Sequence, residues 1–154
     1  MFAQFSASFC AVVALGAIVA SADPPQLSAR QVGDLQCNID RVKTVGSVIQ
    51  ALVTTRNLTQ QLSSDSVNSA HVADITGGLN KAEDGIAVIV AAIFAGQKAP
   101  NEARTEVGDG LSTAFDAASN ITSTDPDVVA NVNQLKTELQ EASFAGDNVV
   151  DECH

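Results

Sequence analysis

The chain has 154 residues and carries 18 Asp and Glu against 8 Lys and Arg, a net charge of −10. That length fits one domain with an adequate core. So acidic a balance speaks against nucleic acid and anionic membrane as partners and reads as solubility outside the cell.

Met1 to Ala22 has no charged side chain, an apolar centre from Phe9 to Ala20, and the small-residue ending Ala20-Ser21-Ala22. This is the pattern of a cleaved secretory signal peptide. Its apolar run is shorter than the roughly 20 residues a membrane span needs. Two units are expected: residues 1–22 as the signal and 23–154 as a single secreted domain. The domain retains Cys37 and Cys153. An even pair in a secreted protein reads as a disulfide; the alternatives are free thiols, or a metal site completed by His154.

The first helix opens on Leu27-Ser28-Ala29-Arg30-Gln31-Val32. Ser28 and Gln31 form a capping box, and Leu27 with Val32 a hydrophobic staple across it. Its seam is read as Leu35, Ile39, Val42, Gly46, Ile49 and Val53, with Cys37 beside it, and its end near Arg56-Asn57. A polar loop, Thr59 to Ser64, follows. The second helix starts near Asp65 and runs Val67, His71, Ile75, Leu79, Ala82, Ile86, Ile89 and Ile93 to Gly96, with a kink expected at Gly77-Gly78. Its half from Ile86 to Ala95, including Val90 and Phe94, is apolar nearly all round. Such a segment is either the most buried part of a bundle or a face for a ligand.

Pro100 suits the first position of the third helix, whose seam is Val107, Leu111, Ala114, Phe115, Ala118 and Ile121. Asp125 before Pro126 is a helix N-cap. The last helix then carries Val128, Val132, Leu135, Leu139, Ala142, Gly146, Val149 and Cys153 in steps of four and three. No strand-like alternation of useful length appears. The fold class is therefore all-α, a four-helix up-down-up-down bundle. That topology brings the start of the first helix to the end of the last, so Cys37 can meet Cys153. Stepping inward from that link places Gly46 opposite Phe144 with Gly146 close by, a level that predicts a tight helix crossing or a pocket wall.

No motif for a nucleotide, a catalytic serine, a zinc hydrolase or calcium is present. The only His besides His154 is His71, three residues before Asp74, and two ligands are too few for a structural metal site. No catalytic residue, metal or cofactor is expected. Asn57-Leu58-Thr59 and Asn120-Ile121-Thr122 are N-glycosylation sequons, placing candidate glycans on Asn57 and Asn120 at expected helix ends. Ile86, Ile89, Val90, Ile93, Phe94 and Phe115, with Gly46 and Gly146, are the candidate apolar-ligand residues.

Three segments carry a resemblance: Asp34-Leu35-Gln36-Cys37-Asn38-Ile39-Asp40-Arg41, Ile93-Phe94-Ala95-Gly96-Gln97-Lys98-Ala99-Pro100 and Val149-Val150-Asp151-Glu152-Cys153. Following a secretion signal, they give a chain that resembles small secreted helical proteins of fungi, of the hydrophobic surface-binding protein A and cell-wall galactomannoprotein group. The resemblance implies adsorption to hydrophobic surfaces or retention of a fatty-acid-like ligand between helices. The cysteine pair and the lack of a Ser/Thr-rich tail set this chain apart from many of that group and imply free secretion. The expected function is non-enzymatic binding of a hydrophobic surface or lipid by a monomer. The alternative is a secreted regulator or effector acting through a protein partner.

Overall fold

The computed structural model describes residues 35–153. The leader, Leu27, Ser28, Gln31, Val32 and His154 lie outside the described residues. Four helices follow one another: α1 (Leu35–Gln61), α2 (Ser66–Phe94), α3 (Asn101–Asn120) and α4 (Pro126–Glu152). They form the expected up-down-up-down bundle, with no strand among the described residues.

Local chemistry sets the helix ends. The Asp65 carboxylate accepts from the backbone N–H groups of Val67 and Asn68 at 3.1 and 3.0 Å, two of the donors a helix start leaves unpaired. Asp125 does the same for Asp127 at 2.9 Å, and Pro126 occupies the first helical position. At the end of α2 the chain turns on Gly96, at φ 73. The Gly96 and Gln97 N–H groups close back on Ile93 and Ala92, a turn whose left-handed residue favours glycine. Pro100 stands one residue before α3 rather than within it. α1 continues to Gln61, a turn beyond the expected end, because Leu58 and Leu62 still have core to fill.

The helices associate as two close pairs, α2 with α3 and α1 with α4, and the pairs meet each other less intimately. In α2–α3 the backbones touch. A Cβ added to Gly78 would lie 2.6 Å from the Gly110 carbonyl oxygen, and one on Gly110 would lie 2.5 Å from that of Gly78. Gly85 meets the Ala103 oxygen in the same way, at 2.7 Å. α2 passes through Gly77-Gly78 as one uninterrupted helix. Gly78 thus serves close approach, and the kink expected from its helix propensity does not interrupt the element.

In α1–α4 the link is covalent and polar. Cys37 and Cys153 form the expected disulfide, with Cα atoms 5.5 Å apart. Near the pair's middle, the buried Thr54 hydroxyl donates to Glu138 Oε1 at 3.1 Å, and Gln134 donates to the same oxygen at 2.8 Å. Glu138 Oε2 is buried with no partner.

The face α1 presents to the core departs from expectation. Leu35, Val42 and Val53 are 76%, 73% and 51% exposed, and Ile39 also faces outward. The buried face is Cys37, Asp40, Thr44, Ser47, Val48, Ala51, Thr54, Thr55 and Leu58. At 100° per residue that face lies about 160° around the helix from the expected seam. It is hydroxyl-rich, yet two of its four hydroxyls are satisfied within the helix and that of Thr54 by Glu138. Thr44 donates to the Asp40 carbonyl and Thr55 to the Ala51 carbonyl, at 2.9 and 2.7 Å, so burying them leaves no donor stranded. Cys37 therefore lies on the packing face, not beside it.

The other three seams stand with small changes. Ile75, Leu79, Ala82 and Ile86 of α2, Val107, Leu111, Ala114 and Ala118 of α3, and Val128, Leu135, Leu139 and Ala142 of α4 join one core. Val67 is exposed in the first turn of α2, and Ile89, Ile93, Phe115 and Val132 are only partly buried. At the end away from the disulfide, buried Asn68 ties α2 to the α3–α4 loop. Its amide donates to the Thr122 carbonyl at 2.9 Å and its oxygen accepts from the Thr122 N–H at 3.2 Å.

Candidate functional site

The two pairs share one core, and at the disulfide end space opens between them. A cavity of about 610 Å³ is bounded by all four helices. α2 contributes Ile86, Ile89, Val90 and Ile93, and α3 contributes Arg104, Val107, Gly108 and Leu111. α1 supplies Arg41, Thr44 and Val45; α4 supplies Ser143, Gly146, Asp147, Val149, Val150 and Cys153. The α2–α3 turn closes the end with Gln97, Lys98 and Ala99. The volume lies within the roughly 300–1,000 Å³ typical of small-ligand sites.

Small residues make the room. No heavy atom lies within 4 Å of a Cβ placed on Gly108, and only Thr44 Cγ2, at 4.0 Å, approaches one on Gly146. A second hollow of about 300 Å³ adjoins the first through shared Gly108, Leu111 and Ser143 and is walled by Phe115. Lys136 Nζ stands 5.4 Å from the centroid of the Phe115 ring, an attraction between a cation and the ring face.

The apolar run from Ile86 to Ala95 is not the most buried part of the bundle. Val88 and Phe94 are exposed, and Ile89, Val90 and Ile93 are half-buried on the cavity wall, Ile89 and Val90 also packing against the core. Of the eight candidate ligand residues, Ile86, Ile89, Val90, Ile93 and Gly146 line the main cavity and Phe115 the smaller one. Two do not. Phe94, 80% exposed, sits at the α2 terminus outside both hollows, and Gly46 lies off the wall because α1 is rotated from its expected face. The Gly46–Gly146 level therefore supplies one pocket wall and no tight crossing; the tight crossing is at Gly78 and Gly110. Phe144, expected at that level, is exposed.

The cations of the wall escaped the sequence reading. Arg41, Lys98 and Arg104 look like ordinary surface charges until the topology brings the start of α1, the α2–α3 turn and the start of α3 to one end.

The polar groups named from sequence lie elsewhere. His71 is half-buried without a hydrogen-bond or ion-pair partner among the described residues, and lies about 20 Å along α2 from Ile86. Asp74 is exposed, and no group of three or more His, Cys, Asp or Glu side chains among the described residues is arranged to hold a metal. Asn57 and Asn120 are both exposed, but Asn57 lies inside α1, four residues before its end, rather than in a loop.

Two carboxyls are displaced from the ordinary range. Asp65 is held low, first by the Asn68 backbone N–H, then by the Asn68 side chain. Glu83 is pushed up, chiefly by burial and then by neighbouring Asp84, with Arg56 opposing. Neither lines the cavity. No described helix is long and apolar enough to cross a membrane.

Compared with protein families, with curated proteins and with solved structures, the chain matches none of them.

Proposed function

We propose that this is a secreted, non-enzymatic, monomeric protein that takes a lipid-like apolar ligand into the cavity between its two helix pairs. The carrying observation is the cavity of about 610 Å³ walled by Ile86, Ile89, Val90, Ile93, Val107 and Leu111. Apolar matter moved from water into such a site gains about 0.8 kcal/mol per methylene. The disulfide fits an oxidising, extracellular setting, as the leader does. Exposed Asn57 and Asn120 are the proposed glycan carriers. The separation of His71 from the cavity and from carboxylate partners supports a binding rather than a catalytic role.

Extraction of purified protein followed by mass spectrometry is expected to find a co-purifying lipid, and a delipidated sample is expected to rebind one. Absence of lipid together with no uptake of any alkyl compound would remove this reading.

A second reading rests on a different observation, the exposed stripe Leu35, Ile39, Val42 and Val53 along α1. An apolar face of that extent suits adsorption to a hydrophobic solid, or contact with a secreted protein partner. Replacing Val42 and Val53 by Lys is expected to weaken adsorption to a hydrophobic solid and leave lipid uptake unchanged. Equal adsorption by that variant would remove the second reading. Kinship with the hydrophobic surface-binding and galactomannoprotein group belongs to the same proposal, whose physical support is the cavity and the stripe.

A further inference from the structure

The cavity is not uniform along its length. Its inner part is walled by Val45, Ile86, Ile89, Val107 and Leu111, whereas Arg41, Lys98 and Arg104 belong to the end where α1 begins, α2 stops and α3 begins. Three of the chain's eight Lys and Arg residues therefore gather on one cavity of a protein with net charge −10. None of the three forms an ion pair among the described residues; the pairs present are Lys43 with Asp40 and Lys81 with Asp109. Among the described residues, the one carboxylate on the wall is Asp147. Arg41 is the most telling. One of its terminal nitrogens donates to Asn38 Oδ1 at 3.2 Å, while its Nε is buried with no acceptor among the described residues. In a chain with acidic groups to spare, an unpaired buried guanidinium N–H is a donor waiting for an anion.

We propose that this end of the cavity is an anion subsite. The ligand is a single-chain amphiphile whose carboxylate, sulfate or phosphate head meets Arg41, Lys98 and Arg104 while its tail runs inward between the helix pairs. The inference rests on the lipid-binding reading above and adds the head group and its orientation. Guanidinium groups present planar, paired N–H donors that match these anions, and the Lys98 ammonium adds a point charge. From Arg104 to Leu111 the α3 wall extends about 10 Å at helical rise, and Ile86 to Ile93 of α2 extends about as far beside it, which gives an alkyl tail apolar surface along its length. Among the described wall residues three cations stand against the single carboxylate of Asp147, and this local excess favours an anionic head despite the net charge of −10.

The test uses the whole secreted protein, delipidated, with dodecanoate, dodecyl sulfate, dodecyl phosphate, dodecanol, acetate and inorganic phosphate as probes. Each is titrated calorimetrically below its micelle-forming concentration. The three anionic amphiphiles are expected to bind about tenfold or more tightly than dodecanol, and acetate and phosphate not to bind measurably. Combining Arg41→Gln with Arg104→Gln is expected to bring dodecanoate to the affinity of dodecanol and leave dodecanol unchanged, which also reports that the variant is folded. Dodecanol binding as tightly as dodecanoate to the unaltered protein would overturn the anion subsite and leave the lipid reading standing. Acetate or phosphate binding as tightly as dodecanoate would overturn the amphiphile in favour of a small anion. If no alkyl probe binds, the lipid-binding reading falls and this inference with it.

Discussion

The two helix pairs solve one packing problem in different ways. α2 and α3 bring their backbones into contact at Gly78, Gly85 and Gly110, where even a methyl group has no space. α1 and α4 meet through a buried polar strip and are closed by a disulfide. One pair is held by shape and the other by a covalent link and matched polar groups. Where the two kinds of pair face each other they share one apolar core, and at the disulfide end that core gives way to the cavity.

Cutting the covalent link is the strongest way to break this contrast. Cys37→Ser with Cys153→Ser releases a loop spanning 116 residues of sequence separation. On the chain-entropy account its closure stabilises by about 4–5 kcal/mol. Denaturant melts are expected to show a loss of that order; a loss below about 1 kcal/mol would mean that the polar strip alone secures α1–α4.

The next largest effect is expected on the other pair. Gly78→Ala puts a methyl 2.6 Å from the Gly110 oxygen and 2.8 Å from the Ala114 nitrogen, both backbone atoms that cannot turn aside. The helices must separate, at a cost of about 1–3 kcal/mol after the usual gain of alanine in a helix. In contrast, Gly46→Ala meets no atom within 4 Å and is expected to stabilise by up to about 1 kcal/mol. Opposite signs for these two Gly→Ala changes in one thermal melt series would confirm which pair is in backbone contact.

The polar strip itself is probed by Thr54→Val. It removes one partner of buried Glu138, whose Oε2 already lacks one, and should cost about 1–3 kcal/mol. Adding Glu138→Leu removes the unpartnered carboxyl oxygen and should restore most of that loss. A double-mutant cycle with simple additivity would mean that the two groups are not coupled.

The smallest effect concerns Glu83. Its carboxyl is raised in the folded protein by burial first and by Asp84 second. A raised group favours folding below its unfolded pKa, and that contribution is lost as pH rises through the folded value. Glu83→Gln should therefore stabilise at neutral pH, within about 0.5 kcal/mol because the site is only half-buried, and show no gain where carboxyls are protonated. An equal gain at both pH values would assign the effect to packing.

The sequence makes α2, α3 and α4 legible because their apolar residues at helical spacing are also their buried residues. α1 misleads for a physical reason. It carries two four-three registers, one through Leu35, Ile39, Val42 and Val53, and one through Cys37, Thr44, Val48, Ala51, Thr55, Leu58 and Leu62. Hydropathy favours the first, but the second contains the cysteine that must reach α4 and hydroxyls that can pair with their own helix. The disulfide, inferred correctly, already required the second face. The cavity is foreshadowed by the all-round apolar end of α2, whereas Gly78 and Gly110 resemble helix weakeners until their partner backbone is known. Arg41, Lys98 and Arg104 are far apart in sequence, and only the bundle's topology gathers them.

The central claim is that the space between the pairs, and not the outer stripe of α1, receives an apolar ligand. Methyl-resolved NMR during titration with dodecanoate tests it most directly. The account predicts shifts at Ile86, Ile89, Ile93 and Val107, with Ile39, Val42 and Val53 unmoved. Shifts confined to Ile39, Val42 and Val53 would contradict it.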